Sequence, residues 1–271
     1  MPFVPAGSIV RRIWGDADAV LLVFAGAAAE FALNRAVDWL FFTGAIPSDP
    51  IGRLFRTAAY AQDIVFASRA SAEQALGRIR AAHEAVERAR GARIPQWAHR
   101  DVLYLLIDYS ERAGALMHGA LTEVQRDDLY DVFRRVGEGL AIPDLPATYE
   151  DWRADRDHHM RRDLAYSTHT SVLYARYRAQ LGPWRYVLLR QLQSVLVPPF
   201  VAELLRLPRV RVARPAIVAY RAIKRLGLAP LARAALVPRR HLAQVKELER
   251  GGPRGEAGGI RVLSRQLDSS Q

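Results

Sequence analysis

The chain has 271 residues and half of them are apolar, so it can bury a sizeable core in one large domain or two small ones. It has no cysteine, which excludes disulfides, thiolate metal sites, iron–sulfur clusters and a cysteine nucleophile. The net charge of +11 is unevenly distributed. Residues 1–205 hold 24 basic and 24 acidic side chains, whereas residues 206–250 hold 12 basic and 2 acidic ones and carry +10.

Near the N-terminus, residues 19–29 form an uncharged apolar run that is too short to span a bilayer, which takes about 20 residues. Asp16 and Asp18 precede the run, which argues against a cleaved signal peptide. The helical pattern continues, so we predict one buried helix over residues 16–43. Glu30 lies inside its apolar part and needs a partner or a function. We expect a cytoplasmic protein, free or peripheral on a membrane.

A turn over residues 44–50 ends in Asp49 and Pro50, which together favour the start of a helix over residues 50–68. One stripe of this helix carries Arg53, Thr57 and Tyr60. The next helix is predicted over residues 71–90, with Ser71 and Gln74 as a capping box.

His83 stands in the apolar stripe of this second helix, between Ile79 and Val86, with Arg80 one turn before it. An imidazole in such a stripe has two common explanations. It is either a buried histidine that hydrogen-bonds to a carbonyl group or an axial ligand of a haem iron. The residue alone does not decide between them.

The rest of the chain also has helical periodicity, with no alternating strand pattern and no internal repeat. Further helices are predicted over residues 97–118, 122–137, 148–166, 169–181 and 184–207, the last one broken at Pro198 and Pro199. We therefore predict an all-α protein. Residues 1–205 form its helical domain, residues 206–250 a basic helical extension, and residues 251–271 a disordered tail.

The basic segment, residues 206–250, mixes its positive charge with leucine, isoleucine, valine and tyrosine. This composition favours an anionic membrane surface or an acidic partner. A solvated basic face is the alternative. Since no nucleic-acid-binding motif accompanies the charge, we predict no nucleic-acid partner.

Asp127, Asp128 and Asp131 have the DDxxD form with which isoprenoid diphosphate synthases hold Mg²⁺. The alternative is that these acids occupy the first turns of a helix capped by Thr122, where the helix dipole favours negative charge. His158 and His159 are adjacent, so they point to different sides of their helix and do not form a chelating pair.

Three segments together resemble the family of mpaB-type oxygenases and latex-clearing proteins (rubber oxygenases), over roughly residues 8–205. They are DPIGRLFRT (residues 49–57), IRAAHEAV (residues 79–86), and DVLYLLIDYS (residues 101–110) leading to LTEVQRDDLYDVFRRVG (residues 121–137). The resemblance implies a helical haem b fold with a globin-like core. It also implies an enzyme that uses dioxygen to cleave carbon–carbon double bonds of isoprenoid chains.

By this resemblance His83 is the proximal haem ligand and binds the iron. Arg80 matches the arginine one turn before that ligand. Arg53 and Thr57 match the arginine–threonine pair that lines the haem pocket.

The sequence departs from the family pattern at three places. Arg56 stands where a lysine caps the iron in latex-clearing proteins, and a guanidinium has no lone pair to donate. Residues 104–106, Tyr-Leu-Leu, stand where many members have an aromatic–Val–His triplet. The catalytic carboxylate has no match by spacing, so Glu30 is our first candidate and Asp38 the second.

The resulting prediction is a haem b-dependent oxidoreductase, an oxygenase that acts with dioxygen on an apolar or isoprenoid small molecule. Its predicted catalytic residues are Glu30 and Arg80, and its cofactor-binding residues are Arg53, Thr57, Arg80 and His83. Two alternatives remain open. One is a non-catalytic helical binding protein with the same fold, and the other is a Mg²⁺-dependent prenyl diphosphate enzyme that uses the aspartates of the DDxxD segment.

Overall fold

The computed structural model describes residues 1–42, 49–208 and 213–249. Regular structure in these residues is helical, without a strand, which confirms the all-α prediction, and the helices form a single domain. The helices are α1 (Ile9–Trp14), α2 (Ala17–Phe31), α3 (Val37–Phe42), α4 (Pro50–Val65), α5 (Arg69–Arg90), α6 (Gln96–His118), α7 (Glu123–Gly139), α8 (Tyr149–Asp163), α9 (Thr168–Leu181), α10 (Pro183–Leu196), α11 (Pro199–Leu204), α12 (Ala213–Arg225), α13 (Ala229–Leu236) and α14 (Leu242–Glu249), with a 3₁₀ turn at Arg239–His241 before α14. Most of the predicted turn at 44–50 and the predicted disordered tail lie outside the described residues.

Helix α2 lies at the centre of the fold. Twelve of its 15 residues are buried, and α6 and α10 both pack against it. Gly26 permits the closest approach to α6, because a Cβ atom at this position would lie 2.2 Å from Cδ1 of Tyr109. The short residues of α2 therefore let α6 come close enough to build a tight core.

The predicted helix over residues 16–43 is wrong at its middle, because the chain leaves the helix after Phe31. The side chain of Asn34 accepts a hydrogen bond from the backbone N–H of Ala36 at 2.7 Å and donates one to Asp101 at 2.7 Å. The backbone N–H of Arg35 donates to the carbonyl oxygen of Asp163 at 3.0 Å. Side-chain bonds of this kind compete with helical hydrogen bonds, so a short turn replaces the helix before α3 begins.

Two of the three helix starts predicted from capping residues are confirmed. Asp49 accepts from the backbone N–H of Gly52 ahead of α4, and Thr122 forms the capping box of α7 with Gln125. The predicted box at Ser71 is wrong, because α5 begins at Arg69. Ser68 caps it by accepting from the backbone N–H of Ser71 at 3.2 Å.

The C-terminal helices return across the body of the protein. Helix α14 packs against α4 and α2, and the side-chain amide of Gln62 donates to the carbonyl oxygens of Trp14 (2.8 Å) and Leu248 (3.1 Å). This one buried amide ties α1, α4 and α14 together. None of the helices in the described residues is both long and apolar enough to cross a bilayer.

Candidate functional site at His83

His83 lies in the second half of α5 with its ring half-buried. Its ring faces that of His99, near the start of α6, with 4.8 Å between ring centroids and 39° between ring planes. Gly91 makes this possible: it ends α5 in the left-handed conformation at φ 69°, and residues 91–95 turn the chain back towards α5. Two imidazoles from two helices therefore share one site.

Burial, with smaller contributions from the nearby His99 and Arg53, lowers the pKa of His83 to about 4 against the opposing charge of Glu87. Burial also lowers the pKa of His99. Both rings are therefore neutral at physiological pH, and a neutral imidazole has the lone pair that a metal ligand needs.

Arg53 of α4 is close enough to His83 to affect its titration, and it forms no ion pair with any carboxylate in the described residues. Burial, together with the neighbouring Arg56, lowers the pKa of Arg53 to about 10. Two turns further along α4, the hydroxyl of Tyr60 is buried without a hydrogen-bond partner among the described residues. Among the described residues, α4 therefore carries a guanidinium without a carboxylate partner close to His83, and a phenol without a hydrogen-bond partner two turns further on.

The other predicted pocket residues make contacts of their own. The hydroxyl of Thr57 donates to the carbonyl oxygen of Arg53 at 3.1 Å, within its own helix. Arg56 pairs with Asp49 at 3.7 Å. Arg80, although one turn before His83, is exposed to solvent. Of the residues predicted to bind the cofactor, Arg53 and His83 are the two that the structure brings close enough to influence each other.

Glu30 belongs to a different cluster. It is only 1% exposed and accepts hydrogen bonds from Arg156 at 2.5 Å and from the Tyr109 hydroxyl at 3.0 Å. Arg156 also reaches Asp108 at 3.3 Å. Burial opposes the charge of Arg156, but the two carboxylates outweigh it and raise the pKa of the guanidinium. In the described residues no hydrogen bond, ion pair or ring contact joins Glu30 to His83.

Asp38, the second candidate for a catalytic carboxylate, pairs with Arg90 at the end of α5 at 2.5 Å. The Arg90 guanidinium also lies 4.1 Å from the ring centroid of Trp39. Asp38 is half-exposed, so its contact with Arg90 is a surface ion pair that joins α3 to α5.

A second donor cluster lies where α8 meets α6. Asp101, His159 and Asp163 are all buried, and one ligand atom from each lies within 4.8 Å of the others. Nδ1 of His159 is 2.7 Å from Asp101 and 3.5 Å from Asp163. These atoms could hold a divalent cation, but Asn34 and Arg162 already bond to the two carboxylates.

Sequence reasoning missed this cluster because it weighed His159 against the adjacent His158. The spacing of His159 and Asp163, four residues apart, was the available signal. It also missed His99 as the neighbour of His83. Its only sequence signal was a histidine placed shortly after the turn at residues 91–95.

The DDxxD aspartates are not gathered around one point. Asp128 accepts hydrogen bonds from the hydroxyl of Ser8 (2.7 Å) and the backbone N–H of Ile9 (2.9 Å), so it anchors the start of α1. Asp127 and Asp131 are exposed, and Asp131 pairs with Arg134 at 3.9 Å.

The fold and the His83 site together define a helical protein that presents a neutral imidazole beside an arginine without a carboxylate partner in the described part of the chain. Residues 11–229 match the family model described as the catalytic domain of ER-bound oxygenase mpaB/B′ and rubber oxygenase. The chain therefore belongs to this oxygenase family. No curated protein and no solved structure matches it.

Proposed function

We propose that this chain is a haem b-dependent oxygenase that acts with dioxygen on an apolar, isoprenoid small molecule. Membership of the oxygenase family supports the reaction class. The observation that carries the cofactor assignment is the neutral ring of His83, which has no hydrogen bond to the described residues and lies beside an arginine without a carboxylate partner.

These side chains suit a haem, which needs an imidazole for its iron and cations for its two propionates. His83 would bind the iron, and Arg53 would pair with a propionate. The orphaned hydroxyl of Tyr60 would donate a hydrogen bond to an acceptor on the same side of the group. Thr57 and the exposed Arg80 complete the proposed binding set, with Arg80 at the rim. When bound, haem would supply an iron centre that activates dioxygen.

The protein's own contribution would be to position the cofactor and keep water away from it. Burial holds His83 unprotonated, so no proton competes with the metal for its lone pair. For Glu30 we propose the function of a polar anchor in a dry interior, because Arg156 and Tyr109 both hold its carboxylate. Arg80 remains our proposal for a catalytic residue near the iron.

We also propose that the protein acts at a membrane surface. The basic segment, residues 206–250, would dock on an anionic membrane surface, where an apolar substrate is dissolved. The +10 charge of this segment supports this part of the proposal.

The test is an absorbance spectrum of the protein expressed with a supply of haem. We expect a Soret band in the parent, lost or shifted in His83→Ala. His158→Ala, which removes an exposed histidine, should leave the band unchanged. A parent that is folded and helical but has no Soret band would contradict the haem proposal and favour the non-catalytic binding protein.

A further inference from the structure

Helix α12 packs against the body through a face that carries both apolar and polar side chains. Ile217 is buried, and the next residues on the same face, Tyr220 and Lys224, reach aspartates at the start of α2. In an ordinary surface helix the apolar face would point to the core and the charged face to water. In α12, by contrast, the inward face includes the charged side chain of Lys224.

The inward contacts form a compact set of ion pairs. Lys224 lies 2.5 Å from Asp16 and 2.7 Å from Asp18, and Arg233 of α13 lies 2.8 Å from Asp18. The Tyr220 hydroxyl donates to Asp18 at 2.8 Å. Burial raises the pKa of Asp18, but Lys224 and Arg233 outweigh it and hold the pKa below its ordinary value. These contacts fix which face of α12 points outwards.

Large apolar side chains on α12, on α13 and in the turn between them are open to solvent. Val218 is 64% exposed, Leu226 73% and Leu231 71%, and Ile223 and Leu228 are also exposed. Scattered single exposed apolar residues are normal, but several large ones on two consecutive helices and the turn between them mark an interaction surface.

Two further exposed apolar side chains lie on α10, near the end of α13. The guanidinium of Arg185 donates to the carbonyl oxygens of Ala235 and Leu236 at 3.1 Å, which brings the start of α10 against the end of α13. Trp184 and Val187, on either side of Arg185, are 48% and 58% exposed. Tryptophan and arginine side chains at the border of an apolar face are typical of the interfacial zone of a membrane.

The charge around this face selects the partner. Arg225 and Arg239 are exposed and form no ion pair with the described residues. A second copy of the chain would bring another +10 segment against the first, which like-charge repulsion opposes. An anionic bilayer satisfies both features, because its headgroups pair with the arginines and its acyl region accepts the leucines.

We infer that the outward face of α12 and α13, with Trp184 and Val187 beside it, is a docking surface for an anionic lipid bilayer. This inference rests on the membrane part of the proposed function and adds which side chains enter the lipid. Lys224 and Arg233 are not among the lipid-binding cations, because Asp16 and Asp18 hold them.

The experiment is flotation of the full chain with vesicles of phosphatidylcholine alone or mixed with phosphatidylglycerol. The parent should bind the mixed vesicles, and high salt should weaken the binding. Leu226→Asp together with Leu231→Asp should reduce the binding at least about tenfold, because two leucine side chains no longer transfer their apolar area into the lipid. Val124→Asp, which changes a 77% exposed valine on α7, is the matched control and should bind like the parent.

Arg225→Gln tests the charge separately, and we expect weaker binding to mixed vesicles with a smaller effect of salt. Three results would overturn the inference: no binding to either vesicle, equal binding by the double aspartate variant, or a dimer in solution that this variant abolishes. Helicity and haem content of the same variants separate this outcome from the proposed function. The double variant should remain folded and keep whatever Soret band the parent has.

Discussion

Two polar clusters in this fold, one buried and one half-buried, differ in whether their charged groups have partners. Around Arg156, every charge has a partner: Glu30 and Asp108 flank the guanidinium, and Arg112 bonds to Asp108 at 2.6 Å. Around His83, Arg53 has no carboxylate and the hydroxyl of Tyr60 has no hydrogen bond within the described residues. A buried charge that is paired holds the fold together, whereas one that is left unpaired is costly unless a ligand completes it.

The largest effect is expected from Arg156→Ala. It leaves Glu30 and Asp108 facing each other in the interior without their shared cation, which should lower the free energy of unfolding by about 3–5 kcal/mol. Urea denaturation followed by circular dichroism measures this.

Arg53→Ala is the matched arginine change in the other cluster, and it breaks no ion pair. We expect it to cost less than about 1 kcal/mol in the protein without haem. Equal destabilisation by the two variants would remove the distinction between a paired and an unpaired cluster.

A smaller effect is expected at the junction of α6 and α8. His159→Ala removes the group that Asp101 contacts at 2.7 Å and leaves that buried carboxylate with Asn34 alone. The expected loss of stability is about 1–3 kcal/mol. His158→Ala, at the exposed neighbouring position, should change the denaturation midpoint little. Unchanged stability in His159→Ala would show that this cluster does not hold α6 and α8 together. In this respect it would then resemble the unpaired cluster around His83.

Local patterns predicted most of the helices, and two of the failures share one physical cause. The break after Phe31 depends on Asn34, whose amide bonds to Asp101, 67 residues further along the chain. The contact between His83 and His99 depends on how residues 91–95 turn. Periodicity shows that a helix has two faces, but long-range contacts decide which face points inwards.

The basic segment illustrates the same limit. Its charge could be predicted from composition. The inward direction of Lys224 could not, because it is determined by Asp16 and Asp18, roughly 200 residues earlier in the chain. For the site, the sequence supplied His83, Arg53 and Glu30, but only the fold separates Glu30 from the other two.

The last effect concerns pH in the protein without haem. The pKa of His83 is about 4 in the folded chain and ordinarily 6.5. Between these values the unfolded chain takes up a proton that the folded chain does not. The free energy of unfolding should therefore fall as the pH drops from 6.5 to 4, with a contribution from this one group of at most about 1.4 kcal/mol per pH unit.

His83→Gln removes this contribution, so its stability should depend less steeply on pH than that of the parent over the same range. His158→Gln leaves the His83 ring in place, so its stability should depend on pH as that of the parent does. Denaturation midpoints at several pH values from 4 to 7 compare the three proteins. If His83→Gln keeps the parent's slope, the ring takes up protons freely in the folded state. Burial would then not keep the His83 lone pair available for a metal. The paired cluster around Arg156 would be unaffected, because its stability rests on charges that are already matched.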